Sequence, residues 1–235
     1  MPPLVSICLT CKDRWELTRQ ALESALGNTN LKVNLAVCDD KSNPKNNTAL
    51  GQWWFERFHG NDDYHDRLRW LQGLGVGGAK NHAVGIACND ESKYLCLLDN
   101  DVVCKPGWLE TLIGAYEAGY PLGYRLIGGY AHPFNQTNRI HEAWHIGGEV
   151  SLHEKNAVDG LCHFMEWETW DKYGPLDSHA QGVRQSEDFA FCRKIVDAGF
   201  KVGVVYPHVI ENHGVVDTFG ERIPGAELVE AELRK

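Results

Sequence analysis

Asp99 and Asp101, separated only by Asn100, are the residues of this sequence best suited to chemistry. They close an apolar run, Tyr94-Leu95-Cys96-Leu97-Leu98, of the kind that forms a buried strand. If Asn100 faces away, both carboxylates point into one cleft and can hold a divalent cation through oxygen ligands. In an open α/β sheet, ligands bind at the carboxyl ends of the strands. The plain alternative is a strand followed by an Asx turn, because Asp and Asn are common turn formers.

Three further groups follow strand-like or helix-opening segments. Asp39-Asp40 ends a second apolar run, and a carboxylate there can accept a hydrogen bond from a base N–H or from ribose hydroxyls. Asp13, just past a first run, can line the same pocket, although all three acids also suit caps and turns. Glu187-Asp188 opens a helical pattern; capping alone would explain the pair, yet the same position fixes a carboxylate rigidly, as a general base requires. His208 and His213 follow the last strand candidate, and His213 beside Gly214 is the better metal ligand because glycine permits a tight turn back toward the site. The stretch Gly73-Leu74-Gly75-Val76-Gly77-Gly78-Ala79-Lys80-Asn81 is no dinucleotide fingerprint, since it does not follow the first strand. It suits a glycine-rich loop near a nucleotide, with Lys80 touching a phosphate.

The elements that must position these groups alternate in period. Strand patterns at Leu4–Thr10, Val33–Cys38, Arg67–Leu71 and the run ending at Asp99 are separated by helical patterns at Arg14–Leu26, Thr48–His59 and Ala79–Ala87. The Thr48–His59 helix is expected to turn Trp54, Phe55 and Phe58 inward. A helix opens near Pro106 and ends near Gly119. The region His132–His153 reads as loops and short antiparallel strands, Cys162–Tyr173 and Glu187–Ala198 as helices, and Lys201–Tyr206 as a strand. This alternation predicts an α/β fold with a mostly parallel, doubly wound sheet and helices on both faces. One domain is expected over residues 1–217, with a nucleotide-binding half (1–105), an acceptor-binding half (106–217) and a peripheral tail (218–235).

Composition narrows the function. The 235 residues are 43% hydrophobic and 23% charged, as in a folded globular chain. A net charge of -9 argues against non-specific nucleic-acid binding, which needs a basic footprint. No run approaches the roughly 18 apolar residues of a membrane span. The opening MPPLVSICLTCKDRWE is too soon charged for a signal peptide, so a cytoplasmic protein is expected. Most of the eight cysteines sit in apolar segments, as small buried hydrophobes do, and reduced thiols are expected. Cys8 and Cys11 have CxxC spacing, but no second pair completes a zinc site.

Taken together, these segments resemble the family 2 glycosyltransferases, enzymes of the Rossmann-like GT-A fold that use nucleotide-diphospho-sugars. Val5–Thr10 looks like their first strand, and Val37-Cys38-Asp39-Asp40-Lys41-Ser42 like their aspartate pair. Gly78-Ala79-Lys80-Asn81 is similar to their Ala-Arg-Asn element, with lysine for arginine. Asp99-Asn100-Asp101 matches the acid-any-acid motif, Ser186-Glu187-Asp188 the acidic motif carrying the base, and Ile210-Glu211-Asn212-His213 the terminal histidine element. The resemblance spans about residues 4 to 214 and is to non-processive members, since no Gln-x-x-Arg-Trp element follows Asp188. It implies an inverting enzyme that uses Mn²⁺ or Mg²⁺. On this reading Thr10, Asp13, Asp39, Asp40, Lys80, Asn81, Asp99 and Asn100 surround the donor, a UDP-sugar being favoured. Asp99, Asp101 and His213 hold the metal, Asp188 is the base, and Glu187 orients a hydroxyl acceptor of a glycan or glycolipid precursor.

Trp144, Trp167 and Trp170 offer stacking surfaces for that acceptor, or else fill the core. Two other functions compete. A nucleotidyltransferase also pairs aspartates with Mg²⁺, but its triphosphate loop is glycine-rich, and Thr10–Trp15 contains no glycine. A non-catalytic sugar-binding module would use the tryptophans and histidines, and would have no need of Asp188 beside a metal site.

Overall fold

A computed structural model describes residues 4–60, 67–88, 91–131, 143–147, 150–178 and 186–214. Strand β1 (Val5–Cys11) is buried along its whole length, which is why its sequence is a continuous apolar run rather than an alternating one. Helix α1 (Trp15–Gly27) buries Thr18, Ala21, Leu22 and Ala25, spaced for one helical face. Strand β2 (Val33–Asp39) follows, then helix α2 (Pro44–Phe58). The α2 helix begins four residues before the expected Thr48. The Asn43 side chain accepts from the Lys45 and Asn46 N–H groups and Pro44 takes the first helical position, so the signal that stops β2 also starts the helix. Its buried stripe is Leu50 and Trp54; Phe55, expected inward, is 61% exposed.

Next come β3 (Leu68–Trp70), α3 (Gly75–Ala87), β4 (Tyr94–Asp99), β5 (Val102–Cys104) and α4 (Trp108–Gly119). The second half supplies β6 (Tyr124–Gly128), β7 (Ala143–Gly147), β8 (Val150–Lys155), β9 (Cys162–Glu166), α5 (Trp167–Tyr173), α6 (Glu187–Asp197), β10 (Lys201–Tyr206) and β11 (Ile210–Asn212). The main sheet has the order β3-β2-β1-β4-β9-β6-β10-β8-β7, and β11 pairs with β5 in a small second sheet. Strands β3, β2, β1 and β4 run parallel, as do β6 and β10, while β9 and β8 run against their neighbours. Helices α3, α4 and α6 pack on the sheet, giving a mostly parallel α/β architecture of the GT-A Rossmann-like type. Buried side chains from Val5 to Ile210 form one continuous core.

One element differs in type from its expectation. Cys162–Tyr173 is a strand followed by a short helix, not one helix. Phe164, Trp167 and Trp170 have helical spacing, but residues 162–166 pair antiparallel with β4 from Leu98↔Cys162 to Tyr94↔Glu166. Phe164 then packs between Tyr94 and Tyr116, with ring centroids at 5.1 and 5.7 Å, and this tertiary pairing overrides the local period. The expected antiparallel character of His132–His153 appears in the β7–β8 pair, while residues 132–142 and the tail 218–235 lie outside the described residues. Among the described residues no helix is long and apolar enough to cross a membrane. None of the eight cysteines takes part in a disulfide.

Candidate functional site

The carboxyl ends of β1, β2 and β4 open onto a cleft of about 280 Å³. Its walls include Thr10, Lys12, Arg14, Asp40, Gly75, Val76, Asp99 and Asp101. This is where a parallel sheet presents its ligand site, because the strands end together and the following loops diverge.

Asn100 does face away from the pair that flanks it. Its amide N–H donates to the Thr18 hydroxyl of α1 at 2.8 Å, and its carbonyl accepts from Arg14 at 3.3 Å. Asp99 and Asp101 are thereby turned toward the cleft, and each meets a cation. The Lys80 ammonium lies 2.8 Å from Asp99 Oδ1, and the Arg14 guanidinium 3.2 Å from Asp101 Oδ2. Asp101 Oδ1 is buried and has no hydrogen-bond partner among the described residues. Burial, and then the Asp99 charge, push the Asp101 carboxyl above its ordinary pKa, against the pull of Arg14 and Lys80.

Arg14 reaches this position from a strained loop. Asp13 and Arg14 are both left-handed, at φ 54° and 52°, a conformation costing on the order of 1–3 kcal/mol for each such residue. The Asp13 carboxylate holds the loop by accepting from the Asn43 backbone N–H at 2.7 Å and from the Asn43 and Asn46 amides at 2.6 and 3.2 Å. Asp13, expected at the donor, is therefore engaged as a clamp between the loops after β1 and β2.

The other donor-side acids are similarly engaged. Asp39 is buried and accepts the Ser42 N–H at 2.7 Å within its own turn; burial raises its pKa above the ordinary value. Asp40 lines the cleft, with its oxygens accepting from the Leu74 and Gly75 N–H groups at 2.6 and 2.9 Å. It caps α3, which explains why that helix starts at Gly75 and not at Ala79, and why the glycines are helical turns rather than an open loop. The absence of a side chain matters at Gly77, where a Cβ would sit 2.8 Å from the Asp177 carbonyl. Asn81 spends both ends of its amide on the Leu176 backbone, at 2.9 Å each, and so fixes the 174–178 segment instead of facing the donor.

Lys80, expected on a phosphate, is 1% exposed and bridges Asp99 to the Gly160 carbonyl at 2.8 Å. Burial depresses its pKa, but Asp99, Glu187 and Asp188 outweigh that effect and keep the ammonium charged. Gly160 donates its own N–H to Asp188 Oδ2 at 2.9 Å. The β4 carboxylate and the α6 carboxylates are thus parts of one network centred on Lys80.

At the head of α6, Asp188 Oδ1 accepts from the Ser186 hydroxyl and, at 2.7 Å, from the Phe189 N–H. Burial would raise its pKa, yet the Ser186 bond, His163, Lys80 and the Phe189 N–H together hold it below the ordinary value. Glu187 behaves oppositely: burial, with Asp188 and Asp99 nearby, raises it despite Lys80. Buried His163 has its pKa lowered to about 4 by burial and then by Lys80, and its Nε2 lies 3.2 Å from the Val158 carbonyl.

His213 arrives through register. Asn212 pairs with Val102, so the next residue meets Asp101, and the His213 N–H donates to the Asp101 carbonyl at 2.7 Å. Its imidazole turns to Glu211, 3.5 Å away. Gly214 is packed on the Asp101 carboxylate so closely that a Cβ would overlap Oδ2. Glycine is required there for space. His208 lies instead against Tyr130 and the Ala131 N–H, with its pKa lowered to about 4 by burial. Among the described residues, no three His, Cys, Asp or Glu side chains converge as a ready-made metal cage.

The tryptophans expected at the acceptor lie elsewhere. Trp167 follows β9 at the amino end of β4, where its backbone N–H meets the Lys93 carbonyl and its indole donates to Ser92 at 3.1 Å. That is the opposite end of the strand from Asp99. Trp170 is buried against Phe191 at 5.7 Å, as a core residue. Trp144 lies in β7, and its side chain is outside those described. Arg14, His163 and Gly160 are site residues that sequence reasoning missed. Only Arg14 carried a signal, as the one arginine in the loop after β1.

Residues 6–164, more than half of the chain, match the model of glycosyl transferase family 2, and the chain belongs to that family. No curated protein sequence matches it. Among solved structures it is similar to a mannosyltransferase from Pyrobaculum calidifontis in complex with GDP-Man and Mn²⁺, at TM-score 0.58 and 14% identity, covering 87% of this chain and 57% of that one. It is also similar to GalNAc-T7 with UDP, GalNAc and Mn²⁺, at TM-score 0.61 and 14% identity, covering 87% and 42%. A third is S. aureus TarS 1-349, at TM-score 0.57 and 12% identity, covering 85% and 57%. At these identities the likeness is one of fold, and this chain spans about half the length of those structures.

Proposed function

We propose that this protein is an inverting, metal-dependent glycosyltransferase moving one sugar from a nucleotide-diphospho-sugar to a hydroxyl of a glycan or glycolipid precursor. The observation that carries the reading is the Lys80 network, which ties a carboxylate pair at the end of β4 to a second pair at the head of α6, beside a cleft at the carboxyl end of a parallel sheet. The two pairs suit two separate tasks in glycosyl transfer, holding the diphosphate and taking a proton from the attacking hydroxyl.

The residues present fit a divalent cation. Asp101 keeps one buried oxygen unpartnered, the absence of a side chain at Gly214 keeps its other oxygen from being covered, and Asp99 adds a second hard oxygen donor. Asp101 and Asp99 would hold the ion, with the His213 backbone paired to Asp101 beside them. Bound there, the ion would offset negative charge gathering on the departing diphosphate. Thr10, Lys12 and Asp40 border the space for the nucleotide. GDP-Man in one structural neighbour and UDP with GalNAc in another occur together with Mn²⁺, which supports a nucleoside-diphosphate donor.

In the displacement, the acceptor oxygen attacks the anomeric carbon from the face opposite the diphosphate, and the bond to the diphosphate oxygen breaks. A carboxylate of the Glu187–Asp188 pair takes the hydroxyl proton, and one displacement inverts the configuration.

The test is release of nucleoside diphosphate from UDP-, GDP- and dTDP-sugars, with and without Mn²⁺. Mn²⁺-dependent release from one donor supports the reading, with a UDP-sugar the first choice. Binding without turnover of any donor would make the protein a sugar-nucleotide binder. Pyrophosphate released from a nucleoside triphosphate and a sugar phosphate would make it a nucleotidyltransferase.

A further inference from the structure

A row of aromatic and imidazole rings lies in the second half of the sheet, outside the cleft. His153 of β8 stacks on Tyr206 of β10, with ring centroids 5.2 Å apart and planes 21° from parallel. His208 meets Tyr206 edge-on at 5.5 Å and Tyr130 at 4.9 Å. Tyr130 is buried whereas Tyr206 is 53% exposed, so the row runs from the interior to an open ring. The Ser151 hydroxyl lies 3.0 Å from His153 Nε2 and 3.4 Å from the Tyr206 carbonyl, which ties the two strands together beneath that ring. A flat aromatic face held still by a stack, with hydroxyl and imidazole groups at its rim, suits a ligand that is apolar on one face and hydroxylated at its edge. A sugar ring is such a ligand.

Strand register relates this ring to the cleft. Leu97 of β4 pairs with His163 of β9, and the Ile127↔Phe164 pair sets Gly128 of β6 beside His163. Gly128 pairs with Val204 of β10, and Val204 with His153 of β8, so these five residues form one row across the sheet. Residues directly opposite one another share a face. His163 stacks with Phe191 at 6.0 Å, so the shared face is the one that α6 covers. Two residues further along, on the same face, the row reads Asp99 in β4 and Tyr206 in β10. Asp99 uses that face to reach Lys80. Three strand spacings separate Asp99 from Tyr206, roughly 14 Å. The open ring thus shares the face and the edge of the sheet with the cleft carboxylates, at a distance that leaves room for one sugar between them.

We propose that Tyr206, stacked on His153, is the platform on which a sugar ring of the acceptor lies, with the Ser151 hydroxyl at its rim. The place of this platform in sugar transfer rests on the glycosyltransferase reading above, whereas sugar binding by the ring does not. A donor sugar held beside Asp99 fills the interval, and the ring lying on Tyr206 turns a hydroxyl toward it. The platform takes the part expected of the tryptophans, of which Trp170 is in the core and Trp167 is at the opposite end of β4.

Saturation-transfer NMR titration with the methyl glycosides of glucose, galactose, mannose and N-acetylglucosamine tests this on the parent, Tyr206→Leu and Tyr206→Phe. Leucine keeps apolar bulk without a ring, and phenylalanine keeps the stacking face. Melting temperatures establish that both variants are folded during the titration. The expected result is that at least one glycoside binds the parent, with a Kd that rises about tenfold in Tyr206→Leu and stays within about threefold in Tyr206→Phe. The platform is overturned if no glycoside binds the parent, if Tyr206→Leu binds as the parent does, or if both variants lose affinity equally. Self-association of the parent that Tyr206→Leu abolishes, read by sedimentation, would make the ring an interface between copies instead. Mn²⁺-dependent donor cleavage by the parent is measured separately. Its absence with every donor sinks the glycosyltransferase reading, while glycoside binding lost in Tyr206→Leu still identifies the platform.

Discussion

Lys80 and Asp99 form an ion pair at 2.8 Å in which the ammonium is 1% exposed and the carboxylate is a quarter exposed. A buried charge is held in place by its partners, so removing the cation does more than delete one bond. Lys80→Met should leave Asp99, Glu187 and Asp188 facing one another without a counter-charge, at a cost of about 3–5 kcal/mol. Urea unfolding at pH 7.5 measures it, and a loss below about 1 kcal/mol would show the pair to be well solvated.

Arg14 occupies one oxygen of Asp101, which any divalent cation using that carboxylate has to share. Arg14→Ala should therefore tighten Mn²⁺ binding to the donor-free protein, by up to about tenfold, or ~1.4 kcal/mol. Titration calorimetry without nucleotide reads this directly. Unchanged or weaker Mn²⁺ affinity would mean that the guanidinium does not compete for the site.

Gly214 has no space for a methyl group beside Asp101. Gly214→Ala should displace either the chain after β11 or the carboxylate itself, costing roughly 1–3 kcal/mol of stability, as overpacking does. It should also weaken Mn²⁺-dependent donor binding. Wild-type stability together with wild-type Mn²⁺ dependence would argue against the tight packing.

His163 gives stability a pH dependence in the acid range. Its pKa falls from 6.5 to about 4 on folding, so between those values the unfolded chain binds the extra proton. Stability from this group is present above about pH 6.5 and is lost as pH falls toward 4, amounting to roughly 3 kcal/mol across the window. Chemical denaturation at pH 7 and pH 4.5, for the parent and His163→Gln, should show a smaller acid loss in the variant. Equal losses would place the titration elsewhere.

The sheet was legible because its strands are buried on both faces and read as unbroken apolar runs, and because each ends at an acid or a turn former. Val5–Cys11 and Tyr94–Asp99 illustrate both points. The acids at the strand ends were legible as a group for the same reason. Their individual duties were not. Asp13, Asp40 and Asn81 have the residue types of ligand contacts, yet each satisfies backbone or side-chain groups from distant loops, and no local pattern announces those partners. The aromatic spacing across Cys162–Tyr173 suited a helix until the pairing with β4 decided otherwise. Gly160 carried no signal, because its contribution is a backbone N–H and a carbonyl that every residue possesses.

The position of β9 governs the order in which this site is completed. It lies between β4 and β6, although more than half the chain is needed to reach it, and the turn before it brings Gly160 to Lys80 and Asp188. The pairing of β1 with β4 needs only residues up to Asp99, whereas the Leu98↔Cys162 pairing needs a strand from the second half of the chain. During synthesis, Lys80 and Asp99 wait for a partner segment made long after them, so an unfinished chain carries the acids without the centre that joins them.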